Sequence, residues 1–143
     1  MAAAPVFWWE RTRCAAPGVP ALQAVVFCAD AALADDSDQE GALLGELVWA
    51  LHCEDVQIAV ITAQSGPSVF RAVRDMLGDG AVEVLVTGDE ADSFSDACDL
   101  ALSQLGVDRA GALVVSGAID ASWSVRRCRE LHRRVAGCEA LSA

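Results

Sequence analysis

The chain has 143 residues, enough for one domain with a real core and no disulfide or metal staple. It is 54% hydrophobic, but no apolar run approaches the roughly 20 residues of a membrane span. The start "MAAAPVFWWERTRC" lacks the basic opening and long apolar stretch of a signal peptide, so a soluble, cytoplasmic protein is expected. A net charge of −11 excludes a nucleic-acid partner, whose phosphate backbone it would repel. All ten basic residues are arginine, which with abundant Ala, Gly, Val and Asp fits a GC-rich bacterial genome. Six cysteines, at 14, 28, 53, 98, 128 and 138, form no CxxC and no zinc spacing, and read as small buried hydrophobes.

Residues 1–20, with Pro5, Pro17, Gly18 and Pro20, read as an irregular N-terminal extension, and residues 21–143 as a single α/β domain. "LQAVVF" predicts a buried strand. The acidic "ADDSDQE" leads into a helix whose N-terminus suits negative charge. Leu44, Leu47, Val48 and Leu51 give helical spacing within 41–51. "VQIAVIT" predicts a second strand, followed by a helix with Ser65 as N-cap, Pro67 in its first turn and Gly78 as stop. "VEVLVT" is a third strand, 95–105 a helix ended by Gly106, and "GALVVS" a fourth strand. A last helix is predicted over 121–135, with Asp120 as its cap. Alternating strands and helices imply a three-layer, Rossmann-like parallel sheet with helices on both faces. Ligands in such sheets sit beyond the carboxyl ends of the strands, here Cys28–Asp30, Thr62–Ser65, Thr87–Glu90 and Ser116–Asp120.

These strand ends, with "VVFCADAALADD", "IAVITAQS", "VRDMLGDGAVEVLVTGDE" and "ALSQLGVDRAGALVV", resemble the haloacid dehalogenase-like (HAD) hydrolases. The wording is similar to the phosphoglucomutase- and phosphatase-like branch, over Leu22 to Gly137. The resemblance implies a HAD-like fold and Mg²⁺-dependent phosphatase chemistry, with an Asp nucleophile and a second Asp two residues on for acid–base work. Cys28 stands at the nucleophile position and Asp30 at the second, with Ala31-Ala32 for the usual Gly-Thr. Thr62 matches the phosphoryl-binding hydroxyl. The family's lysine falls near Asp92, the chain has no lysine, and no arginine lies between Arg74 and Arg109. Where the metal-binding acids belong stand Ser116 and Gly117, and only Asp120 is near. Only one helix fits between Asp35 and the second strand, so there is no cap domain and the site is open to solvent.

Mg²⁺ takes hard oxygen ligands and a thiol is a poor one. Such a domain is therefore expected to be a pseudoenzyme, a binding, scaffolding or regulatory module with a protein partner or a second copy and no cofactor. The alternative is a weak or unusual hydrolase of phosphate monoesters, with Asp30 and Thr62 surviving and Asp30 and Asp120 left for Mg²⁺. Trp8, Trp9, Arg11 and Arg13 have the residue types of interface hot spots, or fold back on the protein's own sheet edge. Around Cys28 there is no Gly-rich nest or arginine to activate a thiol, so it is read as inert. Cys128 and His132 read as a packing pair, His52-Cys53 as a helix-end feature, and "TGDE" lacks the elements of a nucleotide P-loop. A receiver-like signalling domain also needs a lysine after its last strand, which is missing.

Overall fold

A computed structural model describes residues 21–35 and 38–142, and side chains as far as residue 135. Its elements are β1 (Ala24–Cys28), α1 (Asp30–Ala34), α2 (Gln39–Cys53), β2 (Gln57–Ile61), α3 (Pro67–Leu77), β3 (Val84–Val86), α4 (Phe94–Leu105), a 3₁₀ turn (Arg109–Gly111), β4 (Ala112–Val115) and α5 (Val125–Ser142). The strands form one parallel sheet in the order β3-β2-β1-β4. Successive strands add to one side of β1, and the chain then crosses to place β4 on the other.

The side-chain alternation of the strands sorts the core into two layers. Val25, Phe27, Ile58, Val60, Leu113 and Val115 face a layer built from α1, α2, α3 and α5. There Leu44, Leu47, Val48 and Leu51 of α2 and Val69, Val73 and Leu77 of α3 keep helical spacing toward the sheet. Val26, Ala59, Ile61 and Val86 face the other way, against Ala97, Cys98, Ala101 and Leu102 of α4. The predicted three-layer α/β, Rossmann-like architecture is thus the one observed. Among the described residues no helix is long and apolar enough to cross a membrane.

Helix boundaries correct two readings. Ser65 does not cap α3. The N-cap position belongs to Gly66, at φ 108°, with Pro67 first in the helix and no side-chain cap. Nor does Asp120 cap α5, which starts four residues later than predicted. The Asp120 carboxylate accepts from the Ser122 backbone N–H at 2.8 Å and from the Ser122 hydroxyl, forming a turn, and Ser124 caps the helix by accepting from Arg127 N–H at 3.1 Å. The α4 helix starts one residue earlier than predicted, with Ser93 accepting from Asp96 N–H at 3.1 Å and Gly106 closing it at φ 72°. As expected of the acidic run, Asp35 serves a helix start: its carboxylate accepts from Glu40 N–H at 2.9 Å. Trp8, Trp9, Arg11 and Arg13 lie outside the described residues, as does the 1–20 extension.

Candidate functional site

The carboxyl ends of β1, β2 and β3 open into a cleft of about 460 Å³. Cys28 and Asp30 line it from β1 and the turn into α1, Thr62 and Ala63 from the end of β2, and Thr87 and Gly88 from the end of β3. The entry to α4 contributes Asp92, the N-cap Ser93 and a half-exposed Phe94. A parallel sheet gathers these residues because all its strands end on the same side, with each strand bringing the following loop.

Asp30 is the centre of the arrangement. Thr62, which is buried, donates its hydroxyl to Asp30 Oδ1 at 2.5 Å. The Ala63 backbone N–H donates to both carboxylate oxygens, at 3.1 and 3.2 Å. Gln64 N–H donates in turn to Thr62 Oγ1 at 3.1 Å, which orients the hydroxyl. The Cys28 thiol lies 3.5 Å from Asp30 Oδ2. The donors at the end of β2, a hydroxyl and a backbone N–H, are those an anion would seek. They are filled by the chain's own carboxylate.

The loop after β3 is folded on itself. Thr87 N–H donates to Glu90 Oε2 at 2.7 Å, the Thr87 hydroxyl bonds Asp89 and Glu90, and Glu90 N–H returns to the Thr87 carbonyl at 3.0 Å. "TGDE" is therefore a self-satisfied turn. It is held against the β2 loop by Gly88 N–H donating to the Gln64 carbonyl at 2.9 Å. A Cβ at Gly88 would stand 2.0 Å from the Ala63 carbonyl oxygen, so only glycine lets the two loops approach this closely.

The electrostatics run one way. Asp30 and Asp92 line the cleft and no arginine does. Burial pushes the Cys28 thiol above its ordinary range; a backbone hydrogen bond at Asp30 opposes the rise, and the Asp30 charge and side-chain hydrogen bond add to it more weakly. At neutral pH this raises the neutral fraction and lowers the nucleophilic thiolate fraction. Alkylation of Cys28 by iodoacetamide should thus be slower at pH 7 in the folded protein than in urea. It should still be accelerating at pH values where the unfolded thiol has levelled off. Peptide mapping after timed quenching reads this, and faster alkylation of Cys28 in the folded protein would contradict it.

Of the predicted positions, the fold brings together Cys28, Asp30, Thr62 and Asp92. It leaves Ser116 and Gly117 exposed at the end of β4, outside the cleft lining, and Asp120 bound to Ser122. The cleft lies over β1, β2 and β3, where the start of α4 walls it, instead of in the crevice between β1 and β4. Among the described residues no three His, Cys, Asp or Glu side chains converge as a metal site. Asp30 is turned into its donors, Thr62 and Ala63, and the side chain on its other oxygen is a thiol 3.5 Å away, so the residues present do not fit Mg²⁺. Ala63 and Gly88 fall within the strand ends Thr62–Ser65 and Thr87–Glu90 named from the sequence, though without a role there, whereas sequence reasoning missed Ser93 and Phe94. Ser93 did carry a signal, the Ser-x-x-Asp pattern of a helix start.

The remaining candidates are structural. Cys128 and His132 are buried in the α5 layer, where His132 Nε2 lies 2.7 Å from the Ala110 carbonyl and burial pushes the Cys128 thiol up to about 11. His52 sits in the last turn of α2 and meets the Trp49 ring edge-on.

Fold and site define an α/β protein with an acidic cleft at the carboxyl end of a parallel sheet. No family model matches the chain, and no curated protein matches it. Among solved structures, it is similar to the cobalt-bound form of the deoxy-D-mannose-octulosonate 8-phosphate phosphatase from Haemophilus influenzae, at 19% identity and a TM-score of 0.47. The match covers 65% of this chain and 57% of the phosphatase, so the chain spans little more than half of that enzyme's length.

Proposed function

We propose that this protein is a HAD-like domain whose phosphatase machinery has degenerated and whose cleft serves a binding, scaffolding or regulatory role. The observation that carries the reading is the Asp30 carboxylate seated on Thr62 Oγ1 and Ala63 N–H. A phosphoryl group entering the cleft would have to displace it. It would also meet two carboxylates and no cation. Like charges 4 Å apart repel by about 4 kcal/mol at an effective dielectric of about 20. Phosphoryl transfer depends on positioning and on stabilising the charge of the transferring group, which this lining opposes. The thiol at Cys28 supports the same reading, since its surroundings disfavour the thiolate. A net charge of −11 favours a protein partner over a nucleic acid.

One observation favours the alternative, a weak phosphate-monoester hydrolase: Asp30 and Thr62, the two matching positions, do meet in the cleft. Anion binding separates the two readings. Inorganic phosphate at millimolar concentration, followed by the amide resonance of Ala63, should leave the wild-type protein unchanged. In Asp30→Ala the freed donors should take phosphate and shift that resonance. A saturable Ala63 shift in the wild type would favour the hydrolase.

A further inference from the structure

The cleft combines two kinds of surface. Asp30 and Asp92 give it negative charge, and no arginine lines it. Beside them Ile61, Ala91 and Ala97 form an apolar wall, and Phe94 lines the cleft while 45% exposed. Its volume of about 460 Å³ falls within the range of about 300–1,000 Å³ for ligand sites. The negative field extends beyond the lining. Segment 89–96 holds Asp89, Glu90, Asp92 and Asp96, all exposed, and no basic residue stands between Arg74 and Arg109.

Each feature narrows the occupant. An anion is repelled. A bare metal ion needs several oxygen ligands, and Phe94, Ile61, Ala91 and Ala97 offer none. A cation carried on an apolar stem uses both surfaces. Among the described residues the Asp92 carboxylate has no hydrogen-bond or ion-pair partner. An arginine guanidinium is planar, donates two parallel N–H bonds to a carboxylate and stacks on an aromatic face, which are the groups Asp92 and Phe94 present. The N-terminus of α4 carries about half a positive charge, and the carboxylates of Asp92 and Asp96 beside it outweigh that.

We propose that the cleft receives an arginine side chain of a basic protein partner, with the guanidinium on Asp92 and against the Phe94 ring and the methylene stem along Ile61, Ala91 and Ala97. Asp30 keeps its bonds to Thr62 and Ala63 and adds negative charge at the cleft floor. Asp89, Glu90 and Asp96, outside the lining, meet further basic residues of the same segment, so a protein partner fits this surface better than a free amine. The proposal rests on the reading of the cleft as a binding site and names its ligand.

The test titrates the full chain with a short peptide of alternating alanine and arginine, beside the same peptide with citrulline, which keeps the shape and loses the charge. The arginine peptide should give saturable shifts of the Ala91 and Phe94 amide resonances, and the citrulline peptide none. Asp92→Asn should weaken binding about tenfold, through loss of a charge-assisted pair. Phe94→Leu keeps an apolar side chain but removes the ring face, and should weaken binding about fivefold. Asp79→Asn, between α3 and β3 at the opposite end of the sheet, removes the same charge and should leave binding unchanged. Equal binding of the citrulline peptide, or an equal loss in Asp79→Asn, overturns the proposal. So does binding of N-acetylarginine amide as tight as that of the peptide, which would make a small amine the ligand. If neither the arginine peptide nor phosphate shifts any cleft resonance, the proposal falls and the binding reading of the cleft stands. A saturable Ala63 shift with phosphate overturns that reading, and this proposal with it.

Discussion

Gly88→Ala should destabilise the protein by about 3 kcal/mol, combining an overpacking cost with a lost hydrogen bond. The added Cβ would stand 2.0 Å from the Ala63 carbonyl oxygen and 2.7 Å from its carbon. Both are backbone atoms, so no side chain can swing aside. The β2 and β3 loops must separate, breaking the bond from Gly88 N–H to the Gln64 carbonyl. That movement also displaces Ala63 N–H from Asp30. Urea unfolding should show a lower midpoint with an unchanged slope, and the Ala63 amide resonance should move. A midpoint equal to the wild type would mean that the loops do not approach as described.

Phe27→Ala should cost more, about 4 kcal/mol, within the range for emptying a large aromatic site. Phe27 is 1% exposed on the central strand, against the helices of the larger layer. It lies between β2 and β4 in register with Val60 and Val115, so no edge is free to collapse into the cavity. Against a total of about 5 to 15 kcal/mol, this loss is a large share of the stability. Cys28→Ala, one residue on, should cost well under half as much, because Cys28 is only partly buried and small. Equal losses for the two would contradict the alternation that sends Phe27 into one layer and Cys28 toward the other.

Much of the fold is legible in the sequence because burial leaves periodic marks. Runs such as "AVVF" and "QIAVI" carry residues hidden on both faces, and Leu44, Leu47, Val48 and Leu51 repeat with the helical turn. Boundaries are less legible where local bonds compete. Asp120 has the chemistry of a cap, but Ser122 is near enough to take its carboxylate into a turn, and the helix waits for Ser124. Ser65 has it too, but the glycine after it holds the N-cap position with a backbone angle closed to serine.

The candidate site is legible in its residue types and not in its bonding. Cys28, Asp30, Thr62 and Asp92 stand at strand ends or just beyond, which places them around one cleft. That Asp30 turns to Thr62 and Ala63 has no mark in the chain, because a backbone N–H belongs to every residue but proline. The exclusion of Ser116 and Gly117 follows from the position of α4, which builds the cleft on the β2 and β3 side. The closeness of Gly88 to Ala63 is a contact between loops 25 positions apart, invisible to local pattern.

The most direct measurement is hydrolysis of a generic aryl phosphate by the purified protein, with and without Mg²⁺, beside Asp30→Asn and Cys28→Ala. With Asp30 engaged by Thr62 and Ala63 and no cation lining the cleft, no turnover above background is predicted in any sample. Mg²⁺-dependent turnover in the wild type that is lost in Asp30→Asn would contradict the account and establish the domain as a working hydrolase.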